Sequence, residues 1–294
     1  MKLKSLLFAI LVIAMVQCAP QNSKLKFAIS FTQEMSDQAQ DGRLLIMLAN
    51  NNEREPRFQI NEGLKAQLVF GVDVEGMQPG DKIVIDETAF GFPIKSIADI
   101  PAGTYYAQAL INRYETFNLK TGHTVKLPPD RGEGQQWNRK PGNFYSTPTQ
   151  VEIDPARAAT ISIEMDQIIP PIEEPEDTKY IKHIKMQSDL LTEFWGKPMY
   201  LGAHVLLPEG FDEHPEAKYP LMIYHGHFPS DFGGFRTDPP DPNMDTTDYS
   251  ARFGIYGYKK IEQQEAYNFY QQWISKNFPR FIVIEIRHPT PYYD

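Results

Sequence analysis

Residues 218–229 read Lys-Tyr-Pro-Leu-Met-Ile-Tyr-His-Gly-His-Phe-Pro. Within them, Leu221–Tyr224 form a short apolar run that follows a proline and ends at His225-Gly226, which predicts a strand buried on both faces. Strands of this kind belong to parallel sheets whose faces are covered by helices. The sequence therefore predicts an α/β arrangement in this part of the chain.

Further strands and one helix surround this run. Tyr180–Gln187 and the alternating Met199–Leu207 predict two strands, and Phe281–Ile286 repeats the buried-strand pattern. Lys259–Asn277 carries an apolar stripe at helical spacing, which consists of Ala266, Phe269, Tyr270, Trp273 and Ile274. A strand, a crossover containing a helix and a second strand predict that Ile223 and Ile284 lie side by side in parallel strands.

Residues 24–167 have a different pattern. Apolar and polar residues alternate in Ala159–Asp166, in Leu64–Phe70 and in Gly103–Phe117, and turn sequences such as Pro79-Gly80-Asp81 separate these runs. Short strands at this spacing predict an antiparallel, Ig-like β-sandwich. A segment rich in proline and acidic residues, 168–177, follows as an extended linker before a second domain at 178–294.

Composition limits the class of protein. A chain of 294 residues with 41% hydrophobic residues is long enough for two cores, and 24 prolines with 19 glycines argue against a helical bundle. The net charge of −9, with no basic stripe, argues against a nucleic-acid partner.

The first 23 residues are predicted to be an export signal. Lys2 and Lys4 precede the apolar run Leu6–Val16, which is too short to span a bilayer. Cys18 follows this run, either as the acylated cysteine of a lipoprotein or beside an ordinary cleavage site; Gln17 departs from the lipoprotein pattern, and both alternatives stay open. We expect an exported protein (periplasmic, cell-surface or secreted) that meets a membrane only through lipid on Cys18. As the only cysteine, Cys18 cannot form an internal disulfide.

Three motifs carry a resemblance to a known family: Leu206-Leu-Pro-Glu-Gly-Phe211, Tyr219–Gly226 and His288-Pro-Thr-Pro-Tyr292. Together they resemble the opening of the esterase branch of the α/β-hydrolases that includes enterochelin esterases and S-formylglutathione hydrolases. The resemblance implies a fold with a β-sandwich followed by an incomplete three-layer α/β/α hydrolase domain. It also implies cleavage of a small-molecule or glycan ester through an acyl-enzyme, without a cofactor or metal.

The resemblance assigns roles to five residues. The backbone N–H groups of His227 and Phe228 would face the developing oxyanion, and His225, His288 and Tyr292 would line the cleft. His225 also suits a structural role in the turn, hydrogen-bonded to nearby backbone.

The serine nucleophile that such chemistry needs is not evident. No serine has glycine at both the −2 and +2 positions of the Gly-x-Ser-x-Gly elbow, and the nearest candidate, Ser230, lacks both. We therefore expect the nucleophile, acid and catalytic histidine to lie beyond Asp294, and the chain alone to be inactive.

Two rival functions remain. His225 and His227 could serve a metal-dependent hydrolase, although no acidic ligand at persuasive spacing lies near them. Alternatively, the chain is a non-catalytic surface protein whose sandwich binds glycan, for which Trp137 in the long loop 119–145 would offer an aromatic platform. A structural role for Trp137, docking that loop onto the second domain, is the plainer interpretation.

An acidic loop also invites a calcium interpretation, through Asp238, Asp241, Asp245 and Asp248. These residues lack the glycine and the terminal glutamate of an EF-hand loop, so a solvated loop is favoured.

Overall fold

The computed structural model describes residues 25–129, 136–173, 175–225 and 232–287. Its strands and α-helices, in chain order, are β1 (Leu25–Phe31), β2 (Gln40–Ala49), β3 (Leu68–Met77), β4 (Ile83–Ile85), β5 (Phe90–Phe92), β6 (Gly103–Arg113), β7 (Glu115–Asn118), β8 (Thr124–Leu127), β9 (Phe144–Tyr145), β10 (Thr149–Ile153), β11 (Ala159–Met165), β12 (Gln167–Ile168), β13 (Ile181–Gln187), α1 (Asp189–Trp195), β14 (Tyr200–Leu206), β15 (Leu221–Tyr224), β16 (Tyr249–Ser250), β17 (Ile255–Tyr256), α2 (Tyr258–Trp273) and β18 (Ile282–Arg287).

Contacts divide the chain into two units. The first comprises the described residues up to Glu115 together with Trp137–Pro170, and the second comprises the described residues of 116–136 and those from Pro171 onward. The first unit thus ends inside the predicted linker 168–177. The hairpin β7–β8 groups with the second unit because Lys120 N–H donates to Phe194 O at 2.8 Å and Phe117 packs edge-on against Trp195.

The first unit is built from two sheets. One has the order β11-β1-β4, and the other has the order β12-β9-β6-β2-β3-β5 with β10 also paired to β6. Large side chains from both sheets, such as Phe27, Phe31, Ile46 and Phe70, are fully buried in one cluster. This content is consistent with a β-sandwich, but β1 and β11 are parallel, unlike the predicted antiparallel arrangement. Leu64, predicted to start a strand, is exposed in a turn, and β3 begins at Leu68.

Trp137 packs against the outer face of the larger sheet. A second apolar cluster forms there around Met47, Leu110 and Ile169, and Trp137 and Tyr145 pack against it. The indole therefore docks its loop onto the sheet of its own unit. The plainer interpretation named the second domain as the partner of this loop, whereas the cluster that Trp137 contacts belongs to its own unit; its glycan-binding role stays a prediction.

The second unit contains a four-stranded mixed sheet with the order β13-β14-β18-β15. β15 and β18 are parallel, and Ile223 lies opposite Ile284, which confirms that prediction. The helix α2 packs one face of the sheet with Trp273, Phe269 and Tyr270, and these residues contact a cluster that includes Leu206 and Val283. The aromatic stripe predicted for this helix is therefore core.

The predicted three-layer α/β/α hydrolase domain is wrong. The described residues are mostly strands in several sheets, with two α-helices. Of these, α1 spans seven residues and has no buried residue. The face of the four-stranded sheet opposite α2 leaves Ile184 and Ile223 46% and 60% exposed.

The burial predicted for Leu221–Tyr224 is also wrong. All four side chains of β15 are 46–60% exposed: among the described residues no layer covers Leu221 and Ile223, and α2 leaves Met222 and Tyr224, on its own face of the sheet, about half-exposed. An apolar run predicts a strand that can be buried, whereas actual burial depends on elements elsewhere in the chain.

In the part of the chain that the structure describes, no helix combines the length and apolarity needed to cross a membrane.

Candidate functional site

The parallel pairing of β15 and β18 brings their carboxyl ends to one edge of the four-stranded sheet. Tyr224 ends β15 opposite Glu285, and His225 follows it as an exposed residue. In open sheets with parallel strands, ligands bind outside the carboxyl ends of those strands. This edge is therefore the candidate site.

Most residues predicted for the site lie outside the described residues. Among the five residues assigned by resemblance, the structure describes His225, which it places at the edge of the sheet. The proposed oxyanion donors His227 and Phe228, the cleft residues His288 and Tyr292, the serine candidate Ser230 and the lipidation candidate Cys18 are outside the described ranges, so their roles stay predictions.

A row of polar residues crosses the same sheet and ends at this edge. His183, His204, Glu285 and Tyr224 lie opposite one another in the successive strands β13, β14, β18 and β15. Residues directly opposite in neighbouring strands project from the same face. The ring centroids of His183 and His204 are 5.0 Å apart, and His204 and Glu285 are each only 1% exposed. The row therefore places an imidazole and a carboxyl group side by side in the interior.

Asp177 forms the solvent end of the row. Its Oδ1 accepts hydrogen bonds from the backbone N–H of His183 at 2.8 Å and lies 3.1 Å from His183 Nδ1. The hydrogen bond from the His183 N–H lowers the pKa of the Asp177 carboxyl, and a smaller contribution comes from the hydrogen bond with the His183 ring. Asp177 and His183 therefore form a hydrogen-bonded pair at the solvent end of the row.

Sequence analysis missed this row because the alternation that predicts β14 runs through Met199, Leu201, Ala203, Val205 and Leu207 and passes over His204. In the structure β14 has buried residues on both faces: Val205 is 6% exposed on one face, and His204 and Leu206 are each 1% exposed on the other. The signal available in the sequence was a polar residue within each of two apolar strands, His204 and Glu285.

The Pro208-Glu209-Gly210 turn of the resemblance motif is fixed by an ion-pair cluster. Lys179 Nζ donates to Glu209 Oε1 at 2.9 Å, and the Tyr180 hydroxyl donates to Oε2 at 2.5 Å. Both hydrogen bonds hold the pKa of the Glu209 carboxyl below its usual value of 4.5, and the one from Tyr180 has the larger effect. Burial, followed by the bond to Glu209, raises the pKa of Tyr180 to about 12.

The acidic loop uses its carboxylates to shape turns. Asp241 Oδ1 accepts the Asn243 N–H, and Asp245 binds both the N–H and the hydroxyl of Thr247. Asp248 Oδ2 accepts the N–H of Lys259 at 3.1 Å and so caps the first turn of α2. Within the described ranges, no group of three or more His, Cys, Asp or Glu side chains is arranged to hold a metal ion.

The first unit has an open pocket of about 480 Å³ at one end of its sheets. Amide and charged side chains make up its polar part and Leu68, Ile94 and Tyr105 contribute to its apolar part; the polar residues are Asn50, Asn51, Glu53, Gln59, Lys65 and Gln67.

Comparison with protein-family models and with curated proteins gives no match to this chain.

Proposed function

We propose that the chain is an exported, esterase-like protein whose second unit binds the carbonyl oxygen of a carboxylic ester at the carboxyl edge of β15 and β18. The observation that carries the proposal is the parallel pairing that sets Ile223 opposite Ile284 and Tyr224 opposite Glu285. The backbone that continues from this edge contains His227 and Phe228, whose N–H groups would donate to the oxyanion. Donors of this kind stabilise the tetrahedral intermediate of acyl transfer.

The overall reaction is hydrolysis of an ester to a carboxylic acid and an alcohol through an acyl-enzyme. Its nucleophile is not assigned to a residue of this chain. We therefore expect the purified full chain to release no p-nitrophenol from p-nitrophenyl acetate above the level of a Ser230→Ala variant. Turnover that depends on Ser230 would make that serine the nucleophile, and turnover that survives its replacement would place the chemistry elsewhere.

Carboxylate binding tests the oxyanion site without requiring turnover. Acetate or benzoate, titrated into the ¹⁵N-labelled full chain, should shift the amide signals of His227 and Phe228 in NMR spectra. A His227→Ala variant retains the N–H and should respond like the parent, whereas His227→Pro lacks this donor and should respond more weakly. Unshifted signals at both positions, or equal responses from the two variants, would contradict the proposal.

The pocket of the first unit favours a second candidate function, glycan binding. The same labelled protein, titrated with neutral oligosaccharides, would then show shifts at Asn51, Gln59 and Lys65. Shifts confined to this pocket, with none at residues 227 and 228 in the carboxylate titration, would favour the binding protein over the esterase.

A further inference from the structure

Three arginine side chains surround the ring of Phe58 in the first unit. The guanidinium carbons of Arg57, Arg54 and Arg139 lie 4.4, 5.5 and 5.4 Å from the centroid of this ring. Arg54 and Arg139 come from loops that are distant in the chain, and both residues are exposed. Because both contact one ring, they place two positive charges close together at the surface.

Arg57 is the buried member of this group, and its charge is neutralised within the protein. The residue is 8% exposed, and its Nε donates to Glu55 Oε2 at 2.9 Å. Its Nη1 donates to Asn138 O at 3.0 Å, and Asn138 Nδ2 donates back to Arg57 O at 2.9 Å. These two bonds hold the turn that carries Arg139 beside the ring.

Arg54 and Arg139 have no such counter-charge. Among the residues that the structure describes, no carboxylate oxygen lies within 4.0 Å of either guanidinium group. The chain has 38 acidic residues against 29 basic ones, so acids are not in short supply. Guanidinium groups carry several N–H donors in a fixed fork. The pair is therefore matched by an anion that has several oxygens and two negative charges.

A phosphate monoester is the common biological group with that charge. It carries close to two negative charges at neutral pH, and arginine binds its oxygens in bidentate geometry. A sulfate ester presents the same number of terminal oxygens but a single negative charge, and a carboxylate also has a single charge. The two unneutralised arginines therefore favour a phosphate monoester over either of these groups.

We propose that Arg54 and Arg139 bind the phosphate monoester group of a small ligand, with Phe58 holding the two guanidinium groups in place. Gln59 lines the pocket of the first unit, and its Nε2 donates to Arg54 O at 2.7 Å, so the bound ligand has the pocket beside it. Occupation of the pocket by a sugar rests on the second candidate function, whereas the phosphate site depends on the arginines alone.

Titration with inorganic phosphate tests the arginines. In NMR spectra of the ¹⁵N-labelled full chain at pH 7.5, phosphate should shift the amide signals of Arg54, Phe58 and Arg139. Arg54→Gln and Arg139→Gln should each weaken binding by about tenfold or more, because charge-assisted hydrogen bonds are lost. Both positions are exposed, so neither change should disturb folding. Arg157→Gln is the matched control, because this exposed arginine of the same unit is paired with Asp154, and it should leave phosphate binding unchanged.

Glucose 6-phosphate and glucose 6-sulfate test the charge of the ligand. The phosphate ester should bind several-fold more tightly at pH 7.5, and this preference should disappear at pH 5, where the phosphate ester also carries mostly one charge. Shifts at Asn51 and Gln59 that appear with glucose 6-phosphate, and not with inorganic phosphate, would place the sugar in the pocket. Their absence would count against sugar binding there and would leave the phosphate site supported.

Three results would refute the proposal. Equal binding of the two esters at pH 7.5 would show only a general attraction of anions. Unshifted signals in the parent would show that the chain itself neutralises the arginines. Asp130 and Glu133, the acids closest to Arg139 in sequence, lie outside the described residues, so a response that appears only in an Asp130→Asn, Glu133→Gln variant would assign the neutralisation to them.

Discussion

Glu209 connects the turn after β14 to the residues that precede β13. Its carboxylate accepts hydrogen bonds from Lys179 Nζ and from the Tyr180 hydroxyl, and Tyr180 in turn packs edge-on against Phe235 and Tyr270. One side chain therefore ties a surface turn to the aromatic core of the second unit. The motif Leu206–Phe211, which contains Glu209 and contributes to the resemblance to the esterases, gave no indication of this structural role.

Glu209→Gln should destabilise the protein by about 1 kcal/mol at pH 7, because charge-assisted hydrogen bonds become neutral ones. The folded pKa of Glu209 lies below 4.5, so its contribution is present above about pH 4.5 and is lost as the pH falls through the folded pKa. The difference in unfolding free energy between parent and variant, measured with urea, should therefore shrink in acid. Glu213→Gln, an exposed neighbour in the same turn, is the control and should show no such trend. A difference for Glu209→Gln that stays constant down to pH 3 would contradict the assigned linkage.

The loop that carries Trp137 illustrates how an element without regular structure is held in place. Asn143 is fully buried: its Oδ1 accepts from the Arg113 N–H and from Lys140 Nζ, and its Nδ2 donates to Trp137 O at 2.8 Å. The loop is thereby bonded to β6 through side-chain amide and ammonium groups. Periodicity in the sequence could not reveal this, because the bonds join residues up to about thirty positions apart.

Asn143→Ala should cost about 3 kcal/mol, since it leaves several buried donors and acceptors unpaired. The loss should be accompanied by greater solvent exposure of Trp137, measured as a red shift of its fluorescence in a Trp195→Phe, Trp273→Phe background. Asn61→Ala, at an exposed position, should change neither quantity. If Asn143→Ala left both stability and the emission maximum unchanged, the buried network would not be what holds the loop.

At the scale of the whole molecule, the features that were predicted correctly are those that local sequence patterns determine. The sequence predicted the helix α2 and its buried stripe, the parallel pair β15 and β18, and strands with sandwich-like content before residue 168. It failed where burial depends on distant elements: the exposed Leu221–Tyr224 and the absence of a third layer among the described residues. The polar row was missed because His204 and Glu285 become neighbours only through strand order.

The two units should also differ in stability, because burial is unequal between them. The first unit's core is far larger than the second's, which centres on Trp273 with Tyr180, Leu206, Phe235 and Val283. Stability rises with the apolar area removed from water, so the second unit should unfold at lower urea concentration. A Trp137→Phe, Trp195→Phe variant, in which Trp273 alone reports, should lose its buried emission before the far-ultraviolet circular dichroism of the strands is lost. Coincident transitions by the two probes would show instead that the units unfold as one cooperative body.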